Sequence, residues 1–515
     1  MSSPSIFSYD HPTYPLHITV NVILTTLLTV ISAVATMIAD PSIQGELALS
    51  NTETVWITTL YLLGVNTVVP TGNWFANQFG FNRMYTYGVV IFTAATLLSA
   101  VANNFFLVAM ARFIGGIGAG FIFPIGLALI AKSVSKAKIA LAINLYVGIG
   151  IGVGLGVGAL LAGYLSQFVS WRAIFLVIVP FGIVSSISCW LCRNKKAEVS
   201  KTPFDFPGFI SLTTCISTLL IALVLAPIRA TPEGWRTPYI VALLITSFFA
   251  LLALIYFEKR SKAPLFPLSL FKNPLFSASL PALFLLGMTT FASIAVSVEY
   301  MLGGLFYEKF VTGKIAAVYG FAFGLFSIVA NLLLKWIPVP VLTFTGITCL
   351  IVSFFYNNEL SWLTGYKQMV AILILRGIGV GLSLGPTTLM ALYGVSPELK
   401  ASAATTLTFF RQIGGTYGGT LISIFSIRRT IFHTARFAEG VNPQLSAYKS
   451  TLRNLLDKYP DPVKAKLAIV ENIQTQARIQ GINDALIVVG YVMIVVAISL
   501  LILLVHRKWK AAIGP

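Results

Sequence analysis

The segment 148-GIGIGVGLGVGALLAG-163 places glycine at every second position from Gly148 to Gly158, inside an apolar run from about residue 139 to 166. Alternation alone would suit a strand. A run this long instead reads as a membrane-spanning helix, which needs about 20 apolar residues to cross roughly 30 Å of hydrocarbon. On a helix, Gly150, Gly154 and Gly158 fall on one face and Gly148, Gly152 and Gly156 on another. Each face repeats the small-residue spacing that lets two backbones approach closely. Each glycine lowers helix propensity by roughly 0.8–1 kcal/mol, and six of them make a large sum for packing alone. The segment therefore predicts a central helix with a neighbour on each side, at an interface that moves.

The rest of the chain agrees with a membrane setting. Of its 515 residues 57% are hydrophobic and 10% are charged, against about 25% charged in soluble domains. The net charge of +18 is spread through the loops, which points to anchoring beside anionic lipid rather than to nucleic acid. Cys189 and Cys192 form a CxxC at a span end with no second pair, so packing is expected rather than metal or redox chemistry. Residues 1–16 lack a charged n-region and a cleavage site, and no signal peptide is expected. No G-x-x-x-x-G-K-[ST] occurs, which removes the usual nucleotide site. No cofactor or enzymatic activity is expected.

Apolar runs predict fourteen spans: six between about residues 17 and 192, two between 207 and 257, and six between 274 and 505. The expected organisation is an N-terminal six-helix bundle (1–192), a charged linker with an inserted hairpin (193–262) and a C-terminal six-helix bundle (263–515). Residues 428–482 read as one long, polar, partly helical outer loop. Placing the N-terminus inside puts seventeen Lys and Arg in the inner short loops and tail and six in the outer short loops, so both termini are expected to be cytoplasmic. Paired bundles with a midplane site are one solution to alternating access.

Single residues then stand out. Arg112 lies within 106-FLVAMARFIGGIGAGFIFP-124, where an arginine costs about 2.5–3.5 kcal/mol on insertion scales. It either snorkels to the outer surface or faces a cavity, and Gly115, Gly116, Gly118 and Gly120 on the same helix favour the cavity. Arg376, in 376-RGIGVGLSLGP-386, holds a matching place in the second half. Glu299 lies about two turns from the outer end of span 9. It is either a proton carrier open to whichever side the cavity faces, or a wet helix-end acid; both readings stand. Asp40 and Asp484 sit at span ends, where structural or solvated roles are expected. The aromatic residues Trp56, Tyr61, Trp74, Phe121, Phe123, Phe291, Tyr300, Phe409 and Phe410 suit amphiphilic substrates better than sugars.

Through 106–120, 150–163, 170-SWRAIFLVIVPFG-182 and 397-PELKASAATTLTFFRQIGGTYGG-419, the chain resembles the major facilitator superfamily. The resemblance is to its fourteen-span drug:proton antiporters of the EmrB/QacA type and covers nearly the whole chain. It implies an all-α polytopic fold of two six-helix bundles plus an inserted hairpin, opened here by Asp205 and Gly208. It implies export of hydrophobic or amphiphilic compounds against protons across a bacterial inner membrane, with the lipid bilayer as the setting. Arg112, Glu299 and Asp40 become the candidates for proton coupling. Gly150, Gly154, Gly158, Arg376, Arg411, Gln412, Gly414 and Gly415 become candidates for gating and packing, with Arg411 capping or gating the second bundle from the cytoplasmic side. It also brings tripartite pumps into view, in which a periplasmic adaptor would meet 428–482; a docking surface and a plain solvated linker are equal readings of that segment.

Three departures matter. The acid usual in the first span is replaced by Ser32, the charged pair usual after span 2 by Asn77 and Gln78, and the usual Gly-Pro of span 5 by Gly158-Ala159. These favour a second reading on the same fold: a dedicated carrier for one metabolite, such as a siderophore, in either direction. A third reading, a sensor that keeps the scaffold, sits poorly with two bundles and three buried arginines.

Overall fold

A computed structural model describes residues 14–135, 137–191, 203–226, 234–261, 263–361, 363–442 and 444–505. The linker stretch 192–202, with Cys192, and the tail 506–515 lie outside the described residues. The helices are α1 (Tyr14–Glu46), α2 (Asn51–Val68), α3 (Gly72–Phe79), α4 (Phe81–Val101), α5 (Phe105–Ser133), α6 (Ile139–Leu145), α7 (Gly154–Phe168) and α8 (Trp171–Leu191). The chain continues through α9 (Phe206–Leu225), α10 (Pro238–Arg260), α11 (Pro274–Glu299), α12 (Lys309–Leu333), α13 (Val339–Phe355), α14 (Tyr366–Leu392), α15 (Lys400–Glu439), α16 (Ser446–Lys458) and α17 (Pro462–Val505). Among the described residues twelve helices are long and apolar enough to cross a membrane. Two of the expected spans fall short of that: α13 is apolar but only 17 residues long, and α15 has 40 residues interrupted by threonines, Arg411 and Gln412. The protein is an all-helical, multi-pass membrane protein.

The helix starts are written in the sequence. Ser50 and Glu53 form a reciprocal capping box on α2, satisfying two of the donors a helix start leaves open. Asn104 accepts the Leu107 N–H at 2.9 Å to open α5. Asp205 Oδ1 accepts the Gly208 N–H at 3.0 Å to open α9. Gly80 turns the chain between α3 and α4 at φ 92°, a conformation open to glycine and strained for other residues.

Two groups of helices pack around a common seam. Helix α1 lies against α5, α7 and α8, and α4 lies against α5 and α8. In the second group α11 lies along α15, α12 along α14, and α13 along α14 and α17. The pair α9–α10 touches α2 and α15. We call the side where α1 begins the near face and the side where it ends the far face.

The glycine comb sits in the seam. Residues Tyr146–Val153 form a π-helical stretch between α6 and α7, an irregular turn in the helix whose expected proline is absent. One glycine face meets α12 backbone to backbone: a Cβ on Gly320 would lie 2.1 Å from Gly156 N, and one on Gly152 would lie 2.6 Å from Gly324 N. The other face meets α1 more loosely, with a Cβ on Gly150 at 3.1 Å from Thr26 Cγ2 and one on Gly158 at 3.0 Å from Ile31 Cα.

One expectation needs correction. Residues 428–482 are not a long loop. Helix α15 runs on to Glu439, α16 follows, and α17 begins at Pro462. Arg429 Nε and His433 Nε2 both reach Asp484 Oδ2, at 2.5 and 2.8 Å, so the polar extensions of α15 and α17 stay paired. Arg411, expected within the membrane, lies eleven residues into α15, about 16 Å along it. A further tie was not anticipated. Trp171 Nε1 donates to Glu46 Oε2 at 2.6 Å, Arg172 pairs with the same carboxylate, and Arg172 Nη2 donates to Ala102 O at 2.9 Å. The SWR block thus knots the far ends of α1, α4 and α8.

Replacing Gly320 with Ala forces a Cβ onto the Gly156 backbone. Overpacking of this kind costs about 1–3 kcal/mol, so the variant is expected to lower the Tm of the purified protein. A methyl on Gly45 meets nothing within 4 Å, and Gly45→Ala should leave the Tm unchanged. Equal melting of the two variants would remove the seam from the stability argument.

Candidate functional site

Between the two helix groups lies a small cavity of about 10 Å³, lined by Val30, Phe123, Ile151, Gly287, Thr290, Phe291, Leu384, Arg411 and Gln412. That is about the space one water occupies, so the seam is nearly shut at its centre. The R-Q-x-G-G block builds one wall. A Cβ on Gly414 would lie 1.8 Å from Phe284 O, one on Gly415 2.7 Å from Phe291 Cδ2, and one on Gly287 2.1 Å from Arg411 O. Only bare glycine lets α15 press this closely on α11, and that contact sets Arg411 at the cavity.

Among the described residues three arginines are buried. Arg112 donates from Nη1 to Ser32 Oγ at 2.8 Å, and its guanidinium lies 4.1 Å from the Tyr61 ring centroid and 5.7 Å from that of Phe175. Arg376 is built likewise in the second group. It reaches Ser297 Oγ at 3.4 Å and Ser353 Oγ at 3.5 Å, and lies 4.5 Å from the Phe354 ring centroid. The parallel extends to the neighbouring helix. A Cβ on Gly116 would meet Tyr61 O at 2.2 Å, and one on Gly377 would meet Tyr319 O at 2.6 Å. Each arginine thus has hydroxyl and aromatic partners and no carboxylate in hydrogen-bond reach among the described residues. Nη2 is unpartnered in all three, but Arg411 differs in that no hydrogen bond or ion pair engages any part of its buried side chain among the described residues.

The candidate acids separate. Asp40 lies within α1, interacts electrostatically with Arg112, and its Oδ1 is buried without a hydrogen bond. Glu299 closes α11 with its side chain exposed, next to Arg478 of α17. That placement departs from a cavity-facing carboxylate, because the helix turns this position away from the seam. Asp484 is held in the Arg429 and His433 pairings.

Both ends of the seam are latched by neutral or singly charged contacts. On the near side Asn66 Nδ2 donates to Thr416 Oγ1 at 2.7 Å and Asn73 Nδ2 to Ser402 Oγ at 2.8 Å. On the far side Lys309 Nζ donates to Ser42 Oγ at 2.7 Å and Gln167 Nε2 to Glu308 Oε2 at 2.9 Å. The near latch falls in the segment where Asn77 and Gln78 stand in place of charged residues; Asn77 Nδ2 only touches Asn73 Oδ1, at 3.5 Å.

The aromatic residues also divide. Phe123 and Phe291 line the central cavity. Phe409 and Phe410 line a second, larger one of about 630 Å³ between α9–α10 and the α11–α15 pair. Phe121 packs on Phe75 and Trp74 on Phe204, at 5.4 and 4.5 Å between centroids. Tyr300 donates to Ser361 O at 2.8 Å. Sequence reasoning missed Glu258, a buried acid at the end of α10. Its carboxylate accepts the N–H groups of Leu265 and Phe266 at 3.1 and 3.3 Å and so fixes the return of the hairpin.

A family model described as "Major Facilitator Superfamily" matches residues 22–208. The chain is 24% identical over 426 residues to the multidrug transporter protein MdtP of Bacillus subtilis, covering 82% of this chain and 78% of that one. It is 27% identical over 421 residues to the puromycin resistance protein pur8 of Streptomyces alboniger, covering 79% and 81%. The solved structure of the proton:xylose symporter XylE superposes with a TM-score of 0.58 at 12% identity, covering 94% of this chain and 95% of that one, which shows the fold alone. These matches and the helical architecture indicate a transporter and not an enzyme; residues 22–208 match the major facilitator superfamily, and the chain is similar over most of its length to the multidrug transporter MdtP.

Proposed function

We propose that the protein exports hydrophobic or amphiphilic small molecules in exchange for protons across a bacterial inner membrane. In this reading both termini are cytoplasmic, and fourteen spans form bundles at 1–192 and 263–515 around a hairpin within 193–262. The observation that carries it is the central cavity, closed towards both faces by latches weak enough to break. The near latch is two neutral hydrogen bonds, and a typical bond contributes about 0.5–1.5 kcal/mol net. One proton entering down roughly 100 mV gains about 2.3 kcal/mol, and one pH unit adds about 1.4 kcal/mol. A single proton therefore exceeds the strength of the near latch.

Asp40 is the coupling acid this geometry favours among the three candidates. Ser32 gives Arg112 a neutral partner where the resemblance implies an acid, so Asp40 is the carboxylate that interacts with that guanidinium. Protonating Asp40 removes this attraction and changes the relative stability of the two states, which is what a coupling ion must do. The far-face ends of α15 and α17, with α16 between them, are the surface an adaptor would meet. A second reading, a dedicated carrier for one metabolite, is favoured by Ser32 and by the neutral near latch.

In proteoliposomes with an imposed pH gradient, substrate addition should move lumenal pH. Asp40→Asn should abolish that movement and Glu299→Gln should spare it. The reverse pattern would transfer the role to Glu299, and proton movement unaffected by either variant would exclude both. Separately, Ser32→Ala leaves an Arg112 donor buried and unpaired, a loss of about 1–3 kcal/mol. A lower Tm is expected, restored by Ser32→Asp.

A further inference from the structure

The central cavity has an unbalanced charge. Arg411 is 5% exposed and lines it, with no hydrogen bond or ion pair to its side chain among the described residues, and none of the other lining residues is acidic. The remaining polar groups there are the Gln412 amide, itself 6% exposed, and the Thr290 hydroxyl, which already donates to Leu286 O at 2.6 Å. Phe123 and Phe291 supply aromatic surface. The acids in or beside the spans offer no relief: Asp40 is engaged with Arg112, Glu258 with the hairpin return, and Glu299 stands beside Arg478. A buried guanidinium without a counter-charge is costly, and its five donors in a planar fork match an oxyanion.

We propose that the unpaired Arg411 makes the central cavity an oxyanion site, taking the carboxylate, sulfonate or phosphate of an amphiphile whose apolar body rests on Phe123 and Phe291. The inference rests on the transporter reading and narrows its substrate class: compounds with an anionic head are preferred over lipophilic cations. Two consequences follow from charge. A bound anion supplies the counter-charge that Arg411 lacks, so loading favours the state in which the cavity is widened and the anion seated. Export of a monoanion also runs down an inside-negative potential, and 100 mV alone supports a gradient of roughly 40-fold.

The test is equilibrium binding to the full-length protein in neutral detergent, using a naphthalene sulfonate and the matching naphthyl trimethylammonium cation. The sulfonate should bind at least about 10-fold more tightly. Arg411→Gln should weaken the sulfonate by about 10–100-fold, the range expected for lost charged hydrogen bonds, and leave the cation unchanged or improved. Arg411→Lys should retain most of the sulfonate affinity. Equal binding of the two probes by the unaltered protein would overturn the proposal without any variant, as would full sulfonate affinity in a folded R411Q protein. Displacement of the sulfonate by short-chain phosphatidylglycerol and not by phosphatidylcholine would name a lipid headgroup as the source of the oxyanion; no displacement would name a free anion, and both support the site. Vesicle transport separates the two readings. Arg411-dependent binding with no transport ends the export reading and leaves the anion site; transport of the cation with no preference for the sulfonate ends the anion site and leaves export.

Discussion

The structure depends on how closely α12 can approach the helix formed by α6, the π-helical stretch and α7. In hydrocarbon there is no water to expel, so helices gain by contact and by backbone proximity. At the crossing of Gly156 with Gly320 and of Gly152 with Gly324 there is no room for a side chain on either partner. The arrangement joins the two helix groups along one smooth line while the latches at each end hold only a few polar contacts. A seam of this kind resists separation and tolerates rotation. The looser contact of the second glycine face with α1 leaves that helix, with Ser32 and Asp40, more freedom to shift.

The buried arginines show how the chain manages charge in low dielectric. Arg112 and Arg376 are wrapped by hydroxyls and aromatic faces, partners that stabilise a cation without neutralising it. Because Tyr61 and Tyr319 each lie against a glycine of the neighbouring arginine helix, the two sites are repeats of one design in the two halves. Arg411 has no counterpart in that scheme. It belongs to α15, is placed by the Gly287 and Gly414 contacts, and meets the cavity instead of a ring or a hydroxyl.

Much of this was legible in the sequence, and the limits have physical causes. A charge inside an apolar run is conspicuous, so Arg112 and Arg376 announce themselves, and the glycine spacing of 148–158 gives both faces of the helix. Hydropathy marks where lipid ends and not where a helix ends, which is why the polar continuations of α15 and α17 read as a loop. Depth along a helix can be counted, but its rotation is set by neighbours distant in sequence; the height of Glu299 was therefore legible, and its side stayed open between a cavity and solvent. Glu46 was invisible because a carboxylate at a span end is ordinary until Arg172 and Trp171, some 125 residues later, fold onto it.

Helix α15 has one more implication. At 40 residues it is a rod of about 60 Å, with Arg411 roughly a quarter of the way along and the Asp484 partners well beyond the cavity. Its tightest contact with α11 is at Gly414, so the rod pivots there if it pivots anywhere. A tilt of about 5° at that point carries Glu439 roughly 3 Å sideways, several times the displacement at the guanidinium. The rod works as a lever, turning a slight adjustment around one bound group into a change of outline on the far surface.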